Sequence, residues 1–124
     1  MKCESEKIDV RKAVTYWVLT AGYMSLIFYL SSQNISLPKL PTNSDKVLHA
    51  IIYVPLAFLI YRSLWICRIK KFIFVIAFVL AGIYGISDEF HQSFVPGRDS
   101  SLGDAAADFV GALLGSLGAS IFRT

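Results

Sequence analysis

Residues 13–30 read AVTYWVLTAGYMSLIFYL, a run without one charged side chain, with Tyr16 and Trp17 near its start and Tyr29 near its end. A helix of about 20 apolar residues spans the roughly 30 Å hydrocarbon core of a bilayer, and aromatic rings at both ends suit the two headgroup interfaces. Residues 1–12 form a basic lead-in that resembles the start of a secretory signal. The apolar run is nevertheless longer than a usual signal core and three further runs follow, so the segment reads as an uncleaved span. Cys3 has no apolar segment before it and does not fit the lipidated cysteine of a lipoprotein.

Working outward, three more windows have the same character. Residues 47–67 contain only His49 and Arg62 as ionisable side chains besides Tyr and Cys, and Pro55 removes one backbone donor there and should kink the helix. Residues 72–91 are uncharged as far as Ser87 and then meet Asp88, Glu89 and His91. Residues 104–122 carry Asp108 within their first turns. With the first span taken as 13–31, these windows predict an all-α membrane protein, a compact bundle of four transmembrane helices in which residues 1–124 form one domain.

Composition agrees. The chain of 124 residues is 55% hydrophobic, and counting its 8 glycines brings the apolar share to roughly 61%, above the 45–50% or so of a soluble domain. A chain this short has too little interior to hide that excess from water. Seventeen per cent charged and 14% aromatic residues exclude a disordered chain, and Cys3 and Cys67 alone exclude a disulfide scaffold or a metal ribbon. A net charge of +3, scattered along the chain, does not make a nucleic-acid surface.

Of the 12 Lys and Arg, only Lys39, Lys46 and Arg98 fall on the side opposite the termini; the rest flank the terminal side of the spans. Basic residues concentrate in cytoplasmic loops, so both termini are expected in the cytoplasm. Among the connections, residues 31–44 carry Pro38 and Pro41, and residues 68–71 form a tight basic link. Val95-Pro96-Gly97-Arg98 has the pattern of a type II turn, and Ser101-x-x-Asp104 that of a capping box.

The chemistry gathers at the other end of the bundle. Carboxylates inside a span are costly unless they are paired, hydrated or turned inward, which makes them functional candidates. Asp45, His49 and Tyr53 repeat every four residues and share one face of the second helix. Asp88 and Glu89 with Gln92 form a stripe continued by Gly85 and Gly82. Asp104, Asp108, Gly111 and Gly115 do the same on the fourth helix, whose small residues admit a close neighbour, including a second copy of the chain in a homodimer. A pocket open to the outside is expected, with Asp88, Glu89 and His49 as catalytic candidates and Arg98, Gln92, Asp45, Asp104, Asp108 and Tyr53 as substrate-binding ones.

Plainer roles compete with these. Asp45, Ser101 and Asp104 suit helix N-termini, Gly111 and Gly115 suit packing, and His91 is set aside as lying on another face. The adjacent acids Asp88 and Glu89 have no capping role at the C-terminal end of a span, where the helix dipole disfavours them. They could share a proton as an acid/base pair, and Arg98 suits a carboxylate or phosphate. Carboxylates and an imidazole suit a divalent cation, but no HExxH or equivalent spacing is present, so no metal set is assigned and no cofactor is identified. No serine has a convincing base, and Cys67 lies at the wrong end.

Asp45-Lys46-x-x-His49-x-x-x-Tyr53, Gly85-x-x-Asp88-Glu89-x-x-Gln92-x-Phe94-x-Pro96-Gly97-Arg98 and Ser101-x-x-Asp104-x-x-x-Asp108-x-x-Gly111-x-x-x-Gly115 together resemble the VanZ-like family over about residues 45–115. That resemblance implies a small multi-spanning protein of the bacterial cell membrane. The family's namesake is associated with reduced susceptibility to teicoplanin, a glycopeptide that binds the D-Ala-D-Ala end of cell-wall precursors. The chain departs from the family pattern at Asp108, where Asn is usual. The expectation is thus a protein that acts on or binds a lipid-linked peptidoglycan precursor or the glycopeptide itself. Its rivals are a proton- or ion-coupled transporter or flippase, and a membrane hydrolase of another envelope lipid.

Overall fold

A computed structural model describes residues 8–32, 44–95 and 102–122, with residues 44–46 described by their backbone alone. The described residues form four helices and no strand: α1 (Val10–Ser31), α2 (Ser44–Ile66), α3 (Ile73–Gln92) and α4 (Leu102–Ile121). Each is long and apolar enough to cross a bilayer, as the four apolar windows predict. α1 begins at Val10, ahead of the uncharged run, because Asp9 caps it by accepting the Lys12 N–H at 3.2 Å, which leaves Arg11 and Lys12 in its first turn. α2 continues past Pro55, which lies on its exposed side.

The outer surface is apolar. Val14, Val18 and Leu26 of α1, Val79, Ile83 and Ile86 of α3, and Val110 and Leu114 of α4 are all exposed. Lipid tails are as apolar as these side chains, so burying them gains little, and helix association in a membrane rests on close packing and on polar contacts. Both occur here. The interior is built from small residues, with Ala57, Ala77, Ala81, Ala112 and Ala119 fully enclosed. α4 lies closest to α2. A Cβ placed on Gly111 would strike the Ala50 carbonyl oxygen, and one on Gly115 the Val54 carbonyl oxygen.

The small-residue row of α4 therefore admits its close neighbour within the chain. Gly111 and Gly115, on which the homodimer expectation drew, are buried beneath α2. A similar contact seats α3, where Gly82 lies under the Phe109 ring and that ring meets Phe78 edge-on at 5.5 Å between centroids.

α1 packs on α2 and, less closely, on α3, and it is the least enclosed of the four. Polar groups tie it in. Thr20 Oγ1 lies 3.1 Å from Ser63 Oγ, the Tyr23 hydroxyl donates to the Ile52 carbonyl at 2.6 Å, and the Tyr84 hydroxyl donates to the Met24 carbonyl at 2.6 Å. Thr20 and Ser63 are both buried. A double-mutant cycle of Thr20→Val with Ser63→Ala, read by reversible unfolding in mixed micelles, is expected to give a coupling of about 0.6 kcal/mol, the mean for such bonds in membranes. A coupling of zero would show that the two hydroxyls are satisfied by their own helices, through the Tyr16 and Leu59 carbonyls.

The link between α2 and α3 turns sharply because Arg68 and Phe72 take left-handed backbone conformations, with φ of 67° and 60°. The Ile69 N–H reaches back to the Leu64 carbonyl at 3.0 Å and closes the end of α2. At this end Arg62 donates to the Phe122 carbonyl at 3.3 Å and sits over the Tyr16 ring, while Trp17 Nε1 donates to Cys67 Sγ at 3.3 Å. The acidic side chains of the helices gather at the opposite end.

Candidate functional site

Three helix ends meet there: the first turns of α2, the last turns of α3 and the first turns of α4. Because helical residues three and four apart share a face, His49 and Tyr53 point the same way from α2. Gly85, Asp88, Glu89 and Gln92 form one stripe of α3, and Asp104, Asp108, Gly111 and Gly115 one stripe of α4. All of the α3 and α4 residues named, and Tyr53, are buried.

His49 stands at the centre. Its Nδ1 lies 2.9 Å from Asp108 Oδ1 and 4.0 Å from Glu89 Oε2, and its Nε2 lies 3.9 Å from Asp104 Oδ2. The His49 side chain is 14% exposed, whereas Asp108 is fully enclosed. When Asp108 is ionised it is acceptor only, so the Nδ1–H of His49 donates to it and Nε2 faces Asp104. Asp108 fits so deep in the bundle because Gly85 stands opposite: a Cβ there would lie 2.8 Å from Asp108 Cβ and 2.9 Å from its Oδ2.

Behind this group lies a second one. The Tyr53 hydroxyl, on a side chain only 1% exposed, donates to Asp88 Oδ2 at 3.4 Å, and the Tyr53 and Tyr84 rings stand 6.4 Å apart. Tyr84 precedes Asp88 by one helical turn, a spacing that could have flagged it from the sequence. Two buried carboxylate oxygens, Asp88 Oδ1 and Asp108 Oδ2, have no hydrogen-bond partner among the described residues.

Asp88 and Glu89, expected as a pair, meet different groups: Glu89 lies 4.0 Å from His49, and Asp88 accepts from Tyr53. Neighbours on a helix differ by about 100° in direction, and Glu89 turns to His49 while Asp88 turns to Tyr53. Gln92 is buried at the end of the same stripe, at 2% exposure. Asp45 lies one turn before His49 in the α2 backbone, and its side chain is outside the described residues. Arg98, the Pro96-Gly97 turn and Ser101 are outside them as well. His91, set aside on the sequence, faces away from the cluster: its Nδ1 lies 3.2 Å from Ser31 Oγ and its ring stacks on Phe28 at 4.3 Å, joining α3 to the end of α1. Nothing in the sequence pattern marked Ser31 for that contact.

His49, Glu89 and Asp108 each offer one donor atom to a common point, the three lying within 4.8 Å of one another. The cluster can therefore exchange protons between an imidazole and carboxylates, or hold a cation among them. The family model described as VanZ/LLP1 matches residues 16–123 of the chain. No curated protein and no solved structure matches it.

Proposed function

The chain belongs to the VanZ/LLP1 family, and from that premise we propose that it is a multi-pass protein of the bacterial cytoplasmic membrane that acts on a lipid-linked cell-envelope precursor. Its termini lie in the cytoplasm, in keeping with the distribution of Lys and Arg, and the His49 cluster opens toward the outer leaflet, where such precursors are displayed. The observation that carries this reading is the convergence of Asp108, Glu89 and Asp104 on one imidazole at 2.9–4.0 Å. Buried ionisable groups inside a membrane bundle are expensive to keep and serve a function by default. The link to teicoplanin implied by the family resemblance follows naturally: a change in the precursor alters what a D-Ala-D-Ala-binding glycopeptide can recognise. The guanidinium of Arg98 suits the substrate's anionic group by its chemistry.

Incubation of a lipid-linked peptidoglycan precursor with the purified chain, followed by mass spectrometry, tests the proposal. A mass change is expected with the wild type and not with Glu89→Gln, and the mass difference identifies the bond made or broken. An unchanged precursor in the presence of folded wild-type protein would overturn catalysis on that substrate.

A further inference from the structure

We infer that His49, Glu89 and Asp108 form the binding site for one divalent transition-metal ion of the zinc or manganese type. The inference concerns the same pocket as the proposed function and rests on that pocket being the working site, but not on the identity of its substrate.

Three observations lead to it. The first is spacing. Donors held at about 2.0–2.2 Å from a tetrahedral ion stand roughly 3.3–3.6 Å from one another. The distances from His49 Nδ1, 2.9 Å to Asp108 and 4.0 Å to Glu89, bracket that range, and all three donors lie within 4.8 Å of one another, so side-chain adjustments of about an ångström would bring them onto one ion. The second is charge. A neutral imidazole with two ionised carboxylates carries −2, which a divalent ion cancels within a bundle whose surroundings are lipid.

The third is independent of the donor geometry. Asp108 is fully enclosed and points into the cluster, yet its Oδ2 has no partner among the described residues, and neither does Oδ1 of the buried Asp88 nearby. Leaving a buried polar atom unsatisfied costs about 1–3 kcal/mol, and more when it is charged, so buried charges are normally paired or coordinate metals. A cation on Asp108 supplies what its hydrogen bond to His49 alone does not.

The donor set narrows the ion. Imidazole nitrogen favours zinc, iron, nickel or copper over magnesium and calcium, and carboxylates extend the choice to manganese; no thiolate is present to select a softer ion. With Nδ1 on the metal, Nε2–H faces Asp104 Oδ2, at 3.9 Å. Closing that gap to hydrogen-bond distance would give the carboxylate–histidine–metal arrangement that fixes the ring and its tautomer. The ion would also resolve a conflict of sign. A pocket lined by Glu89, Asp104 and Asp108 repels the phosphates of a lipid-linked precursor, whereas a divalent cation among them attracts phosphate oxygens.

Equilibrium dialysis of chelator-stripped full-length protein against Zn²⁺, and separately Mn²⁺, with metal counted by mass spectrometry, tests the site. About one ion per chain is expected. His49→Ala and Asp108→Ala should weaken binding by more than about tenfold, since even outer-shell partners of a metal contribute that much. His91→Ala, which alters the other histidine, should bind as the wild type does. Should either loss variant fail to fold, the absorption spectrum of the Co²⁺-loaded wild type decides: bands of tetrahedral nitrogen and oxygen coordination support the site, and a spectrum of aqueous Co²⁺ overturns it. Binding well below one ion per chain, or equal binding by all three variants, also overturns it. Precursor conversion undiminished in stripped protein would remove the ion and leave the proposed function standing. Stoichiometric binding with an unchanged precursor would do the reverse.

Discussion

Gly111→Val is expected to destabilise the fold by about 3 kcal/mol or more, the upper end of what overpacking costs. The obstacle at this position is the Ala50 carbonyl oxygen, part of the backbone of α2, and a β-branched side chain cannot rotate away from it. α2 and α4 would have to separate, which also opens the packing around Tyr53. Gly115→Val meets the Val54 carbonyl in the same way. Gly22 and Gly118 are the controls, since a Cβ at either meets nothing within 4 Å, and alanine there should gain about 0.5–1 kcal/mol of helix propensity. Unfolding in mixed micelles by increasing SDS measures all four. A Gly111→Val protein that resists SDS as well as the wild type would mean that α2 and α4 do not pack backbone to backbone.

The largest functional effect is expected from His49→Ala. Three carboxylates face the imidazole, so its removal deprives the cluster of the nitrogen donor on which they converge. A positioned acid–base group contributes on the order of 10²–10⁴-fold to a rate, and precursor conversion should fall by at least the lower figure. Tyr53→Phe is the contrasting variant. Its hydroxyl makes a long bond of 3.4 Å to Asp88, which is not one of the three carboxylates facing the imidazole, so conversion should remain within about tenfold of the wild type. If Tyr53→Phe loses conversion while a folded His49→Ala retains it, the working centre lies at the Tyr53–Asp88 group rather than at His49.

Much of this was visible in the amino acids. The four predominantly apolar windows mark four helices because a bilayer core leaves no alternative for runs of that length. The four-residue spacing of His49 with Tyr53 and of Asp104 with Asp108, and the three-residue spacing of Glu89 with Gln92, put those groups on faces that can meet. Which faces meet was not visible. Asp88 and Glu89 look like a pair in the sequence, and only the packing of α3 between its neighbours sends one to Tyr53 and the other to His49. Gly111 and Gly115 show that a close contact exists without showing whether the partner is α2 or another copy. His91 depends on where the end of α1 docks, and that is decided by Ser31 and Phe28, sixty residues away.

The contacts of α1 bear on how it can move. Thr20 with Ser63, Tyr23 with Ile52, Met24 with Tyr84, and Ser31 with His91 occupy successive heights along one side of the helix. Each pair is matched only at its own level, like teeth on a rack. Apolar contact with lipid and with α2 would change little if α1 slid by a turn, but every one of these polar groups would lose its partner at once. α1 is therefore held in register against slipping, and the height of Ser31 beside His91 is set from the opposite membrane face by Thr20.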